Sequence, residues 1–371
     1  MEYTSDLLRR AASLFFSNPE SVSLIGSSER ENDFRAAALV VRSGERFVVK
    51  LASNAFTHPA RIEGWKTLIR ETRSLGAYMP DLIPSRAGSL SESLEADGHR
   101  FTVWAEEFAP FDLAQTDKEF GDSNAYAEKD AVRPKNAEGT APAWKEELIL
   151  LFANLGAKHL PGGWGISGYA RLTPFEGDET DEVEECVRLF ERNLSDRFPA
   201  LLPRFESLRK RWEENRDALA AAYPRLPTSV FQADWNDTNV LLTDDGHFAG
   251  LIDCNIAGED TVLNMALSIG RCGFNGDGGW ESPEKARAVL RLFSRAYRWN
   301  EDEIAAAPLL WRYISALYWG EVNDLKKAEK EEEAAAILGR IERQLSDEVD
   351  FRAAMEGGRC PERTTGIRTD R

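Results

Sequence analysis

Three polar side chains, Asp234, Asn239 and Asp253, supply two carboxylates and one amide oxygen within one short stretch of the chain. Magnesium takes hard oxygen ligands of this kind, usually one or two carboxylates together with substrate phosphates. Phosphoryl transfer also needs a carboxylate that orients the attacking hydroxyl group and accepts its proton. An Asp-x4-Asn spacing followed by a second Asp can supply both functions if the chain brings the three side chains together.

The local pattern predicts that these side chains do meet. Val230 and Phe231 indicate the end of a buried strand, and a polar loop follows. Residues 239–242 and 248–252 are predicted to form two strands around the turn Asp244-Asp245-Gly246, because Asp-Gly between apolar runs is a strong hairpin signal. A hairpin brings its two ends together. The asparagine and the second aspartate should therefore be neighbours, with the first aspartate on the loop that leads to the same place.

This stretch resembles the catalytic loop and metal-binding aspartate of the aminoglycoside phosphotransferase and choline kinase-like family, which has the protein-kinase fold. In that family the loop usually reads His-Gly-Asp-x4-Asn, and an aromatic residue usually follows the metal-binding Asp. Here the corresponding residues are Gln232-Ala233-Asp234 and Ile252-Asp253-Cys254. None of the replaced residues carries the family's chemistry, and Gln232 can still form hydrogen bonds that hold the loop.

The N-terminal part also fits the resemblance, which covers about residues 20–330. Strands are predicted at 22–25, 34–41 and 46–51, which together form an antiparallel meander. In kinases the first turn of this meander, here the polar segment 26–33, folds over the nucleotide phosphates. This turn is poor in glycine compared with that of protein kinases.

Lys50 lies inside the apolar third strand, where an ammonium group either reaches solvent or has a fixed anionic partner. The resemblance implies that it binds the α- and β-phosphates of ATP and is held by a glutamate on the next helix. That helix, predicted at about 59–75, offers Glu71 and Glu63. Glu71 is favoured, because the leucine and proline that follow it match the order usual in the family.

The strand predicted at 100–108 leads into a hinge at about 105–110. In the family that this chain resembles, the adenine of ATP forms hydrogen bonds with the backbone at this hinge. The candidate nucleotide-binding residues here are therefore Glu106, Glu107 and Phe108. The predicted fold is α+β: a two-lobed protein-kinase-like fold with a small five-stranded antiparallel N-terminal lobe, one main helix in that lobe, and a mostly helical C-terminal lobe. The predicted division is residues 1–108 and 109–355, with an exposed insertion at 115–142 and a disordered tail at 356–371.

Composition narrows the function classes. The 371-residue chain has a formal net charge of −17, which argues against a nucleic-acid partner and would suit a cationic substrate. The first sixteen residues form an amphipathic pattern with interspersed charges and not a signal peptide, and no apolar run is long enough to span a membrane. The four cysteines lack metal-type spacing, which favours a reducing, cytoplasmic compartment.

The resemblance implies transfer of the γ-phosphoryl group of ATP to a hydroxyl group of a small molecule. In that mechanism Asp234 is the catalytic base, Asn239 and Asp253 hold Mg²⁺, and Lys50 aligns the phosphates. Aminoglycosides, choline-like alcohols, homoserine-like amino acids, sugars and macrolides all remain open as acceptors. A catalytically silent, pseudokinase-like binding protein is the alternative. A metal-dependent hydrolase is disfavoured, because the nearest histidine, His247, lies at the far end of the predicted hairpin.

Overall fold

A computed structural model describes residues 4–30, 32–114, 143–236, 238–272 and 282–357. The insertion predicted at 115–142 and residues 358–371 of the predicted tail lie outside these ranges. Within them, no helix is both long enough and apolar enough to cross a membrane. The helices are Ser5–Phe15 (α1), Pro59–Ser74 (α2), Ala143–Ala157 (α3), Glu182–Arg197 (α4), Leu202–Ala222 (α5), Val262–Cys272 (α6), Pro283–Phe293 (α7), Glu301–Ala316 (α8), Trp319–Lys327 (α9), Glu331–Ser346 (α10) and Arg352–Glu356 (α11).

An antiparallel sheet of six strands dominates the N-terminal part, with β1, β2, β3, β6 and β4 side by side in that order and β5 also paired with β6. The antiparallel arrangement confirms the prediction, but the sheet has one strand more than expected. Its strands are Ser21–Arg30 (β1), Asp33–Arg42 (β2), Glu45–Ser53 (β3), Leu82–Ile83 (β4), Ser91–Ala96 (β5) and His99–Glu107 (β6).

The first hairpin differs from the prediction. The segment expected to be a long polar turn at 26–33 is mostly strand, because β1 pairs with β2 as far as Arg30, which lies opposite Asp33. The chain reverses between Arg30 and Asp33, and Asn32 has a positive φ of 60°. Asparagine is one of the few residues that tolerates this left-handed conformation in a tight hairpin. β1 therefore pairs with β2 along the segment where a phosphate-binding loop was expected, with one irregularity in the pairing between Leu24 and Gly26.

The sheet gains its hydrophobic core from α1. Leu7, Leu8, Ala11, Ala12 and Phe15 are buried on one side of this helix and cluster with apolar residues of β2, β3 and β6. This packing confirms the predicted amphipathic N-terminal helix, whose apolar positions repeat with helical periodicity.

Two small sheets follow. Asp112–Leu113 (β7), Val240–Leu242 (β9) and Phe248–Leu251 (β10) form one, and Thr228–Phe231 (β8) with Gly258–Thr261 (β11) form the other. Gly250 allows the backbone of Tyr78 to pass very close to β10, since a Cβ atom at this position would lie 1.9 Å from the Tyr78 carbonyl oxygen. The Tyr78 amide donates to the Ala249 carbonyl at 2.7 Å, and the Leu251 amide donates to the Tyr78 carbonyl at 2.9 Å. These contacts attach the segment after α2 to the hairpin.

The contacts divide the chain into two compact units, and the lobe boundary predicted near residue 108 stays a prediction. The first unit contains residues 1–151, 159–181 and 228–260, and the second contains 152–158, 182–227 and 261–371. The hairpin of β9 and β10 therefore belongs with the six-stranded sheet, because it packs on the backbone around Tyr78.

The second unit is helical, which agrees with the mostly helical C-terminal lobe that the sequence predicts. Trp212 of α5 stacks on Tyr313 of α8 with ring centres 5.3 Å apart, and both side chains are buried. Trp311 of α8 is also buried, so these aromatic side chains pack in the core of the second unit.

Candidate active site

A cavity of about 300 Å³ lies in the first unit, between the six-stranded sheet and the hairpin of β9 and β10. Its walls include Lys50 from β3, Glu106 from β6, and Asn239 and Asp253 from the two ends of the hairpin. Side chains from distant parts of the chain therefore surround one volume, which has a size that suits a small ligand.

The predicted hairpin is confirmed in its detail. Val240 pairs with Leu251, and the Ile252 amide then donates to the Asn239 carbonyl at 2.9 Å. This bond closes the open end of the hairpin. It places Asn239 and Asp253 side by side, as their spacing around the Asp-Gly turn predicted.

Gln232 ties the loop to the second end of the hairpin. The side chain is buried, with an exposed fraction of 1% for the residue, and its amide nitrogen lies 2.9, 2.9 and 2.8 Å from the carbonyl oxygens of Asp234, Ile252 and Asp253. The Asn239 amide nitrogen also donates to the Asp234 carbonyl, at 2.8 Å. The expectation that Gln232 holds the loop is confirmed.

Replacement of Gln232 by methionine, which has a similar volume and no donor, should lower the free energy of unfolding by about 2–4 kcal/mol. Buried carbonyl groups would lose their hydrogen-bond donor, and each unsatisfied group costs about 1–3 kcal/mol. Urea denaturation of the purified variant measures this loss. Gln232→His keeps a ring N–H donor and should lose less. A methionine variant as stable as the wild type would contradict the role assigned to this side chain.

Asp253 has an unusual backbone conformation, with a positive φ of 65°. Aspartate is one of the few side chains besides glycine that enters the left-handed region, and it does so at a cost of about 1–2 kcal/mol. Strained residues of this kind persist when the surrounding contacts fix them, and they cluster at functional sites. Here the contacts are the Gln232 amide on the Asp253 carbonyl at 2.8 Å and the Lys50 ammonium at 3.4 Å from the carboxylate.

Lys50 has a carboxylate partner that sequence reasoning did not predict. Its ammonium nitrogen lies 2.5 Å from Glu106 on the neighbouring strand. Glu71 accepts from Arg70 at 2.9 Å, and Glu63 accepts from Lys66 at 3.3 Å. The pairing of Lys50 with a helix glutamate, Glu71 or Glu63, stays a prediction.

The strand register explains the pair. Lys50 lies opposite Trp104 and Val48 lies opposite Glu106, so Lys50 and Glu106 are diagonal neighbours on one face of the sheet. Burial raises the pKa of Glu106, and the charge of Asp253 adds to this effect while the ammonium group opposes it.

Glu107 and Phe108, the other two candidate hinge residues, make contacts outside the cavity. The Glu107 amide donates to the Asp81 carbonyl at 3.0 Å, so this N–H is engaged within the sheet. The Glu107 carboxylate accepts from Arg73 and from the Tyr78 hydroxyl, and the Phe108 ring lies 4.1 Å from the Arg46 guanidinium carbon. Adenine binding at this backbone stays a prediction. Of the three residues, Glu106 is the one that lines the cavity.

Asp234 has the electrostatic character of a proton acceptor. Burial and the nearby charge of Asp253 raise its pKa from 3.8 to about 6, although hydrogen bonds from Asn236 and Asn239 and the charge of Arg35 oppose the shift. The Asn236 amide nitrogen holds one carboxylate oxygen at 2.6 Å. A carboxylate with a pKa near 6 is a better base than an ordinary aspartate and is still mostly ionised at neutral pH.

The raised pKa predicts a pH-dependent cost to stability. A carboxyl group whose pKa is higher in the folded state stabilises the fold below its unfolded pKa, and this contribution is lost as the pH rises through about 6. In metal-free buffer, Asp234→Asn should therefore gain about 1–3 kcal/mol over the wild type between pH 4 and pH 7.5. Urea unfolding at both pH values measures the gain, and Asp244→Asn on the exposed turn is the matched control. A difference that does not vary with pH would refute the assignment.

Sequence reasoning missed two charged side chains of the cavity wall. One is the Glu106 side chain, because only its backbone was expected to matter. The other is Arg35, a charged residue inside the second strand, whose position resembles that of Lys50 in the third. A lone cation within an apolar strand is the signal that could have identified it.

The residues present fit a divalent metal ion. Asp253 offers a carboxylate, and Asn239 offers its amide oxygen, since its amide nitrogen is already engaged by the Asp234 carbonyl. In the described ranges, no group of three or more His, Cys, Asp or Glu side chains is arranged to hold a metal. Two protein oxygens suit Mg²⁺ in particular, because it commonly takes its other ligands from water and phosphates.

Comparison with known proteins identifies the fold. Neither the family models nor the curated proteins compared with the sequence match it. Among solved structures, the microcompartment-associated aminopropanol kinase is similar over 92% of this chain and 95% of its own, with a TM-score of 0.52 and 15% identity. Amicoumacin kinase, solved with AMP-PNP and Ca²⁺, is similar over 95% of this chain and 97% of its own, with a TM-score of 0.56 and 13% identity. The chain has the α+β, protein-kinase-like fold of these enzymes.

Proposed function

We propose that this chain, which has the fold of small-molecule kinases, transfers the γ-phosphoryl group of ATP to a hydroxyl group of a small acceptor. The observation that carries the proposal is the joint presence of Lys50, Asn239 and Asp253 around one cavity, with Asp234 held on the adjoining loop. Fold alone does not specify a reaction, so the argument rests on these side chains.

Each of these side chains has a part that its chemistry suits. Lys50 is a cation on a rigid strand and would bind the nucleotide phosphates in exchange for part of its contact with Asp253. Asn239 and Asp253 would hold Mg²⁺, which when bound neutralises charge on the phosphate oxygens. Asp234 would orient the acceptor hydroxyl group and take its proton.

In the proposed reaction, one bond to the γ-phosphorus forms and another breaks. The acceptor oxygen forms a bond to the γ-phosphorus, and the bond between that phosphorus and the β,γ-bridging oxygen breaks. The hydroxyl proton passes to Asp234, and ADP leaves with the electron pair of the broken bond. Most of the catalysis in such reactions comes from positioning and charge stabilisation, which the loop held by Gln232 would provide.

The acceptor is proposed to be a small hydroxyl compound that carries positive charge. The net charge of −17 would favour the approach of a cation over that of an anion. Aminopropanol, the substrate named for one structural neighbour, has an amine beside its hydroxyl group. Amino alcohols are therefore the first class to test, with aminoglycosides next.

A panel assay tests the proposal. ADP release from Mg–ATP is measured with amino alcohols, aminoglycosides, sugars, nucleosides and macrolides, and Asp234→Asn serves as the blank. Turnover with one class, absent in the variant, is expected. Nucleotide binding without turnover on any acceptor would instead favour the binding-protein alternative.

A further inference from the structure

Arg35 is a second cation on the wall of the candidate active site. It lies on β2, opposite Ser28 of β1 and Ala52 of β3, and it lines the cavity together with Lys50, Asn239 and Asp253. Its side chain is 29% exposed, so the guanidinium group is partly enclosed and still accessible to a ligand.

The guanidinium group is held in place. Its Nε lies 2.8 Å and its Nη2 lies 2.5 Å from the carboxylate oxygens of Asp33. Asn54 in turn donates to Asp33 at 2.9 Å, and the Phe56 ring centre lies 4.9 Å from the guanidinium carbon. Side chains fixed by such contacts lose little entropy on binding a ligand.

One edge of the guanidinium group remains for a ligand. Asp33 engages Nε and Nη2, and no described residue accepts a hydrogen bond from Nη1. Burial alone would lower the pKa of Arg35, but the hydrogen bonds and charge of Asp33, with the charges of Asp253 and Asp234, raise it overall. The charges of Asp253 and Asp234, the two carboxylates of the proposed reaction centre, therefore act on the guanidinium group.

The first hairpin explains why a side chain is needed here. In kinases the turn between the first two strands offers backbone N–H groups to the phosphates. In this chain Ser27 and Ser28 lie in the β1–β2 ladder, opposite Ala36 and Arg35. This pairing engages backbone N–H groups of the two strands and leaves fewer for a ligand than an open loop would. Arg35 projects from the same ladder and can supply donors that the backbone does not.

We propose that Arg35 contacts the γ-phosphoryl group of ATP and stabilises the charge on its oxygens during transfer. This inference rests on the proposed function. Arg35 forms and breaks no covalent bond: it donates hydrogen bonds to oxygens of the phosphoryl group as that group moves from ADP to the acceptor. Arginine suits this contact because its planar donors match the geometry of a phosphate group.

Nucleotide affinities provide the test. The dissociation constants of Mg–ATP and Mg–ADP are measured by calorimetry for the wild type, Arg35→Ala and Arg35→Lys. Arg42→Ala, an exposed change at the far end of the same strand, is the matched control. Loss of a charge-assisted hydrogen bond should weaken Mg–ATP binding by about 10–100-fold in Arg35→Ala, with Mg–ADP changed less than about threefold. Arg35→Lys should lie between, and Arg42→Ala should match the wild type.

A purely structural role for Arg35 gives a different pattern. A structural role would weaken the binding of Mg–ATP and of Mg–ADP by the same factor. That result in both Arg35 variants, which leaves the ratio of the two affinities unchanged, would overturn the inference. Arg35→Lys keeps the positive charge and serves if the alanine variant fails to fold. A wild type that binds both nucleotides but phosphorylates no acceptor would refute the proposed function alone. The ratio of the Mg–ATP and Mg–ADP affinities would still test whether Arg35 contacts the γ-phosphoryl group. A wild type that binds neither nucleotide would overturn both.

Discussion

Asp234→Asn is expected to lower kcat by about 10²–10⁴-fold, the range found for positioned acid–base groups. Asparagine cannot accept the hydroxyl proton, yet it has the same shape, and its side-chain oxygen can still accept from the Asn236 amide that now bonds the carboxylate at 2.6 Å. The affinity for Mg–ATP should therefore stay within a few-fold of the wild type. Initial rates with the best acceptor of the panel, together with calorimetric binding of Mg–ATP, measure the two effects separately.

The matched control is Asp245→Asn. This residue also lies in the stretch from 228 to 260, but it is exposed on the hairpin turn, where its carboxylate accepts from the Thr243 hydroxyl. Its substitution should leave kcat unchanged. Wild-type turnover by Asp234→Asn would rule out proton transfer to this side chain. Another residue of the cavity would then have to act as the base.

Asp253→Asn should weaken Mg–ATP binding by about 100-fold or more, which corresponds to about 2.7 kcal/mol. A carboxylate is replaced by a neutral amide at the position proposed to hold the metal, and Lys50 loses its second anionic neighbour. Asparagine is the right substitute because it tolerates the φ of 65°, whereas alanine would add backbone strain. Titration of ATP into both proteins, with and without Mg²⁺, measures the effect.

The effect of Asp253→Asn on ATP binding should depend on the presence of Mg²⁺. With a chelator present, wild type and variant should bind ATP with similarly low affinity, because the difference between them comes from the metal-held complex. Asp244→Asn, on the exposed turn, controls for the loss of one negative charge. If Asp253→Asn bound Mg–ATP as tightly as the wild type, Asp253 would not be a metal ligand.

The hairpin around Asp234, Asn239 and Asp253 could be predicted because its signals are local. An Asp-Gly turn between apolar runs determines the geometry within a few residues, and the structure shows the closure that follows from it. The supporting role of Gln232 was also predictable, since only hydrogen-bonding capacity was required.

The contact between Lys50 and Glu106 could not be predicted in the same way. It depends on the register between β3 and β6, which are separated by more than forty residues in sequence, and a shift of one residue would send the Glu106 side chain to the other face. The length of β1 is a similar case. Its polar residues suggested a turn, but pairing with β2 continues to Arg30, because strand pairing can override the preferences of a polar segment.

The phosphorus NMR spectrum of a completed reaction tests the central claim most directly. Wild-type protein, Mg–ATP and the best acceptor of the panel are incubated, and the products are identified by their ³¹P signals. The proposed function predicts a new phosphomonoester signal that grows in step with ADP, and neither should form with Asp234→Asn. Inorganic phosphate in place of the phosphomonoester would show hydrolysis, and an unchanged ATP spectrum with every acceptor would contradict catalysis at this site.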